Sequence, residues 1–157
     1  MAYLVKKQRL LSVALPPLLI ISIAACSEER LPIKTIYASN NCGITEQQIK
    51  QINTASELAQ SFAALPYSFP EKPHKAPNIN FTTETVILYA LGQKPNSGYR
   101  IEQMGSYALI KNDALLLPIR THQPNKNNQY GQMITTPCQF FTLPKKEFST
   151  ITTAPSL

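Results

Sequence analysis

Between Thr85 and Leu91 the chain reads Thr-Val-Ile-Leu-Tyr-Ala-Leu, an unbroken apolar and β-branched run of strand length. Branched and aromatic side chains suit a pleated, buried surface, and a run with no polar alternation leaves no face for water. It predicts a central strand, for which the rest of the chain must supply neighbours.

The residues that follow read as strands and turns. Gly92 to Gly98 is a turn-rich connection, and Tyr99 and Ile101 then alternate with Arg100 and Glu102 as a half-buried strand does. This strand is predicted to form a hairpin with the central one. Gly105-Ser106 is a break before Tyr107 to Ile110; Lys111-Asn112-Asp113 turns again, and Ala114 to Thr121 is a further apolar run. A polar loop from His122 to Gln132 precedes Thr135-Thr136-Pro137-Cys138. A strand at Gln139 to Leu143, a turn at Pro144-Lys145-Lys146 and a last strand at Phe148 to Thr152 complete an antiparallel meander.

Upstream, Ile49, Ile52, Leu58, Phe62 and Leu65 recur at helical steps from Thr45 onward. Gln48 to Ile52 reads equally well as a short strand ending at Asn53-Thr54, with Ser56 as N-cap of a helix from Glu57 to Ala64. Periodicity leaves both readings open over residues 47–53. Pro66, Pro70, Pro73 and Pro77 mark residues 66–80 as a loop. The expected fold is α+β, mostly β: a single domain with an antiparallel meander and one N-terminal helix.

The first nine residues carry Lys6, Lys7 and Arg9 and no acid, and Leu10 to Ala25 is apolar apart from Ser12, Pro16, Pro17 and Ser22. A basic start and a short apolar run describe an export signal. A spanning helix needs about 20 apolar residues, and two central prolines oppose one. Ile23-Ala24-Ala25-Cys26 resembles the bacterial lipobox, which implies cleavage before Cys26 and acylation of that cysteine; the alternative is an ordinary secretory signal. Ser27 after the cysteine resembles the sorting pattern for the outer membrane.

Three divisions follow: a lipoprotein signal peptide over 1–25, a lipidated tether over 26–40, and one globular domain over 41–157. The protein is expected in the bacterial cell envelope, lipid-anchored and facing the periplasm. The leader removes three of the positive charges behind the formal +6, so the mature surface is only mildly basic. Nucleic acid is not expected as a partner outside the cytoplasm. If Cys26 carries lipid, Cys42 and Cys138 are left in an oxidising compartment, where they are expected to pair; the alternative is two buried thiols.

Catalytic patterns find little support. Both histidines, His74 and His122, fall in polar loops, and no serine sits in a Gly-x-Ser-x-Gly turn. Gly92 to Gly98 lacks the Gly-Lys-Ser/Thr ending of a phosphate-binding loop. Neither the Cys and His spacing nor the scattered carboxylates suit zinc or calcium. The expectation is a non-enzyme without cofactor or metal, with Tyr89, Tyr99, Tyr107, Phe140 and Phe141 serving packing.

The stretch from Phe81 through Thr85-Val86-Ile87-Leu88-Tyr89-Ala90-Leu91, then Gly92-Gln93-Lys94-Pro95-Asn96-Ser97-Gly98-Tyr99, and later Thr135-Thr136-Pro137-Cys138, resembles the PrcB-like protease-complex domain over roughly residues 81–152. The resemblance implies a non-catalytic module that supports the stability of a protease complex at the cell surface. Its partner would be an envelope protein or a protease. Gly92, Pro95, Asn96, Ser97, Gly98 and Tyr99 form the candidate protein-binding loop, because Pro95 pre-sets one dihedral while Asn96 and Gly98 tolerate unusual ones. The same residues also suit a turn with no binding role.

The loop is similar, too, to the Asn-Pro-Thr-Thr-Gly-Tyr loop of chagasin-type cysteine protease inhibitors. Those inhibitors add a tryptophan-bearing loop, and this chain has no Trp. A further alternative is a small-ligand or cell-wall binding module with its site at Tyr130 and the polar loop His122 to Gln132.

Overall fold

The computed structural model describes residues 28–67, 72–125 and 127–153. The leader and Cys26 lie outside these residues.

Ten strands and one helix follow in the order β1 (Glu29–Pro32), β2 (Lys34–Ser39), β3 (Gln47–Ile52), α1 (Ala55–Ala63), β4 (Glu84–Leu91), β5 (Arg100–Gln103), β6 (Tyr107–Lys111), β7 (Ala114–Leu117), β8 (Ile119–His122), β9 (Cys138–Pro144) and β10 (Thr150–Thr153). The apolar run is indeed central. β4 lies inside a sheet of order β2-β9-β4-β3, paired antiparallel on both sides, and every residue from Thr85 to Leu91 is buried.

Strand geometry sends alternate side chains to opposite faces, and each face of this sheet has its own core. Val86, Leu88, Ala90, Cys138 and Phe140 meet Leu58, Phe62 and Leu65 from α1 and its exit. Here the rings of Phe62 and Phe140 lie 5.0 Å apart, and Tyr37 contacts Phe62 edge-on at 5.4 Å. Ile87, Tyr89, Leu91, Phe141 and Leu143 meet Leu31, Ala108, Leu115, Leu117 and Ile119 on the other face. A second sheet of order β1-β6-β7-β10 and a β5-β8 ribbon supply those residues. Pairing is antiparallel throughout except for β10 on β7. The fold is α+β and mostly β.

Cys42, just after β2, is bonded to Cys138 at the start of β9, with S–S 2.02 Å and 96 positions between them. Both are buried within the helix-side core. The expected disulfide is therefore present.

Several local expectations change. The hairpin between β4 and the Tyr99 strand does not form: β3 and β9 already occupy both edges of β4, so β5 pairs with β8. Residues 29–39, expected within the tether, form two strands with Leu31 and Ile33 buried. Their apolar positions are too few and too mixed with charge to show a period; pairing with β6 and β9 recruits them.

Residues 47–52 are a strand and not the start of a helix. Thr54, not Ser56, caps α1: its side chain accepts from Glu57 N at 3.2 Å, while Glu57 Oε2 accepts from Asn53 N at 3.0 Å. This variant of the capping box satisfies the Glu57 amide that the helix leaves open and the Asn53 amide just before the cap. Pro118, which lacks an N–H, divides the Ala114–Thr121 run into β7 and β8. The last strand starts at Thr150 rather than Phe148. The turn at Asn112-Asp113 is as expected, with positive φ at both residues (50° and 62°) joining β6 to β7. The described part of 66–80 has no helix or strand.

Candidate functional site

The candidate loop begins where the chain leaves β4. Gly92 has φ +74°, and a Cβ there would lie 2.7 Å from Gln47 N and 2.9 Å from Thr45 O, so the position requires glycine. Gln93 N then donates to Thr45 O at 2.9 Å. From Lys94 onward the loop turns to a different partner, the segment just before β9. Lys94 and Thr135 exchange both backbone hydrogen bonds, at 2.8 and 3.0 Å. Thr135 Oγ1 donates to Asn96 O at 3.1 Å, Ser97 N to Gly131 O at 3.1 Å, and Gly131 N to Ser97 Oγ at 3.0 Å.

The tip is closed by the Asn96 side chain, whose Oδ1 accepts from Gly98 N at 2.9 Å. This is the local turn that asparagine favours. Gly98 is buried, and a Cβ on it would stand 2.6 Å from Pro124 Cβ and 2.9 Å from Tyr130 Cδ1. Glycine is needed here for close approach. Tyr99 packs partly buried against the sheet–sheet core, and Lys94 Nζ lies 5.6 Å from the centre of its ring, a cation–π arrangement.

The expected loop is thus one arm of a ribbon whose other arm is 131–135. Pro95 and Ser97 are exposed on the first arm. On the second, Met133 and Ile134 are 61% and 65% exposed, the most exposed large apolar residues among those described. Sequence reading missed this pair. Two adjacent large aliphatic residues between a polar loop and a strand were the available signal.

Beside the ribbon, Asn96, Asn125, Asn128, Gln129, Tyr130 and Gln132 border an open pocket of about 480 Å³. Tyr130 Oη accepts from Asn125 N at 3.0 Å and from Asn128 Nδ2 at 3.4 Å. These bonds, the backbone one first, hold its phenol below the usual tyrosine range. The polar loop and Tyr130 therefore border a pocket as the small-ligand reading expects, but its walls are mainly side-chain amides.

The histidines are placed apart. His122 Nε2 bonds to Glu102 Oε2 across the β5-β8 ribbon, and this bond above all holds the Glu102 carboxyl below the usual carboxylate range. His74 Nε2 lies 3.0 Å from Pro66 O, and its ring stacks edge-on against Tyr37. Neither is hydrogen-bonded to a serine, threonine or cysteine among the described residues. Nor do three His, Cys, Asp or Glu side chains converge among them as a metal site would need.

Residues 85–144 match the PrcB C-terminal family. No match is found among curated proteins or solved structures. The matched segment starts in the central strand, passes through the paired loop ribbon and ends with β9, so it holds the centre of the main sheet and the candidate site together. The chain carries a PrcB-like C-terminal domain.

Proposed function

We propose that this chain is a non-catalytic, lipid-anchored envelope protein that binds another envelope protein, a protease or a protease-associated subunit, and stabilises the resulting complex. The observation that carries this reading is the 94–98/131–135 ribbon. Its backbone is fixed by four reciprocal hydrogen bonds at Lys94, Thr135, Ser97 and Gly131, yet it leaves Met133 and Ile134 in solvent. Exposed aliphatic residues on a pre-ordered support lose little conformational freedom when a partner covers them. Anchoring rests on the basic and apolar leader and on Cys26 at its end, and Ser27 after the cysteine supports the outer membrane over the inner one. No helix among the described residues is long and apolar enough to cross a membrane.

The test is mild crosslinking in membranes followed by purification of the full chain. A defined envelope protein should be captured, and capture should fall at least about tenfold for Met133→Ser with Ile134→Ser, since each deletes an apolar contact of about 1 kcal/mol or more. Recovery of the chain alone, or capture unchanged in the double variant, defeats the reading.

A second reading is favoured by the amide-rich pocket beside Tyr130: a neutral, hydroxyl-rich ligand such as a cell-wall glycan fragment. Saturable binding of soluble glycan fragments, lost in Asn128→Ala with Gln132→Ala, would support it. Absence of any binding would dismiss it.

A further inference from the structure

The main sheet ends on one side in β3, and the hydrogen-bonding direction of that strand follows from a single bond. Leu91 N donates to Pro137 O, so Leu91 turns its backbone groups toward the β9 side. Alternation then turns Val86, Leu88 and Ala90 toward β3, where they face Ile52, Lys50 and Gln48. The N–H and C=O groups of Gln47, Ile49 and Gln51 consequently point away from the sheet. β3 pairs with β4 alone, and no hydrogen bond from another described residue reaches those outward groups.

Unpaired edges are normally blunted by charged side chains, lysine above all, by proline, a bulge, inward charge or short length. Each other sheet edge shows such a device. β2 is bulged between Thr35 and Tyr37, and Gln103 bonds to Thr35 Oγ1 at 2.7 Å. β1 ends in Pro32, and β10, β5 and β8 have four residues each. β3 has six residues, no proline, no glycine and no bulge in its register with β4, and its one blunting device is the exposed Lys50, a charge that a partner strand carrying an acid opposite it would neutralise.

We propose that β3 pairs antiparallel with β3 of a second copy of this chain, around a two-fold axis at Gln48, extending the sheet across a dimer. Charge selects this register. An axis at Gln48 sets Gln47 opposite Ile49 of the other copy, so the outward groups of these two residues meet, twice by symmetry. It also sets Lys50 opposite Glu46, the residue just before β3, twice by symmetry. Glu46 and Lys50 are both exposed, and neither forms a salt bridge among the described residues. An axis at Ile49 would set Lys50 against Gln48, leaving Glu46 with no cation opposite it and Lys50 with only the Glu57 carboxylate of its own chain nearby. A self-complementary patch of this kind is what an isologous two-fold interface requires.

This inference stands apart from the partner at the Met133–Ile134 ribbon, and its test does not touch that site. The full chain is examined by sedimentation equilibrium with its disulfide intact. A concentration-dependent dimer is expected. Glu46→Lys and Lys50→Glu should each weaken it roughly tenfold, because each replaces two cross-strand attractions by two repulsions. The two substitutions combined should restore it. Gln48→Cys should give a dimer linked through residue 48 under mild oxidation, because opposed side chains at the axis lie roughly 5 Å apart at Cβ. A monomer at every concentration, or single charge reversals without effect, overturns the proposal, whether or not crosslinking captures another envelope protein.

Discussion

Gly92 and Gly98 bracket the same loop, yet an added methyl group meets a different obstacle at each. At Gly92 the obstacles are backbone atoms of residues 45–47 together with a positive φ, neither of which can yield without moving the entrance to β3. Gly92→Ala is expected to cost roughly 2–4 kcal/mol, the sum of left-handed backbone strain and overpacking. At Gly98 the obstacles are the rings of Pro124 and Tyr130, and the nearest atom, Pro124 Cβ, moves only with the backbone of its own loop. Gly98→Ala should cost about 1–3 kcal/mol, with amide shifts confined to residues near 98 and 124–131. Denaturant midpoints and backbone spectra of the two variants check both statements. Glu57 offers a titration at the same scale. The Asn53 N–H holds its carboxyl below the usual range, with Thr54 contributing. A depressed carboxylate pKa stabilises the fold above the unfolded value, and that gain is lost as pH falls through the folded value. Glu57→Gln should therefore melt below the parent at neutral pH, and the two melting curves should converge in acid. Parallel curves down to strongly acidic pH would remove this role.

The helix shows how far local sequence speaks for an element. Thr54 and Ser56 are both plausible caps, since each has a hydroxyl and an acidic residue within reach, and only the strand ending at Ile52 decides between them. Thr54→Ala should cost about 1 kcal/mol, whereas Ser56→Ala should be neutral or stabilise by up to about 0.5 kcal/mol, because a cap is lost in one case and an exposed helical serine gives way to a better helix former in the other. Equal losses in thermal unfolding would contradict the assignment. The elements legible in the sequence were those that declare themselves within a few residues: the β4 run, the Asn112-Asp113 turn, the helix and β9. Pairing partners were not legible. Nothing in Tyr99 to Glu102 announces that both sides of β4 are taken, and nothing in Leu31 or Ile33 announces a buried strand, because those facts belong to distant residues. The site was half legible for the same reason. Pro95, Asn96 and Gly98 were readable as a shaped loop, whereas its second arm, with Met133 and Ile134, joins it through hydrogen bonds spanning more than thirty residues.

One sheet with a core on each face makes the molecule a single cooperative unit, and the disulfide joins its sequence extremes at that sheet. The loop between Cys42 and Cys138 contains β3, α1 and β4 to β8, while β1, β2, β9 and β10 belong to the chain outside it. Unfolding with the bridge closed therefore leaves a denatured chain tied into a ring of 96 positions. In the loop-entropy picture this constraint stabilises the folded state by about 4–5 kcal/mol. Cys42→Ala with Cys138→Ala should lower the guanidinium midpoint by a corresponding amount. The transition should stay single, because both cysteines sit in the same core as Val86, Leu88 and Phe140, which the central strand shares with the opposite face. Two separated transitions in the variant, one for the helix side and one for the sheet–sheet side, would show that the faces fold independently. A single transition at the parent's midpoint would show that the ring adds nothing to the stability of the fold.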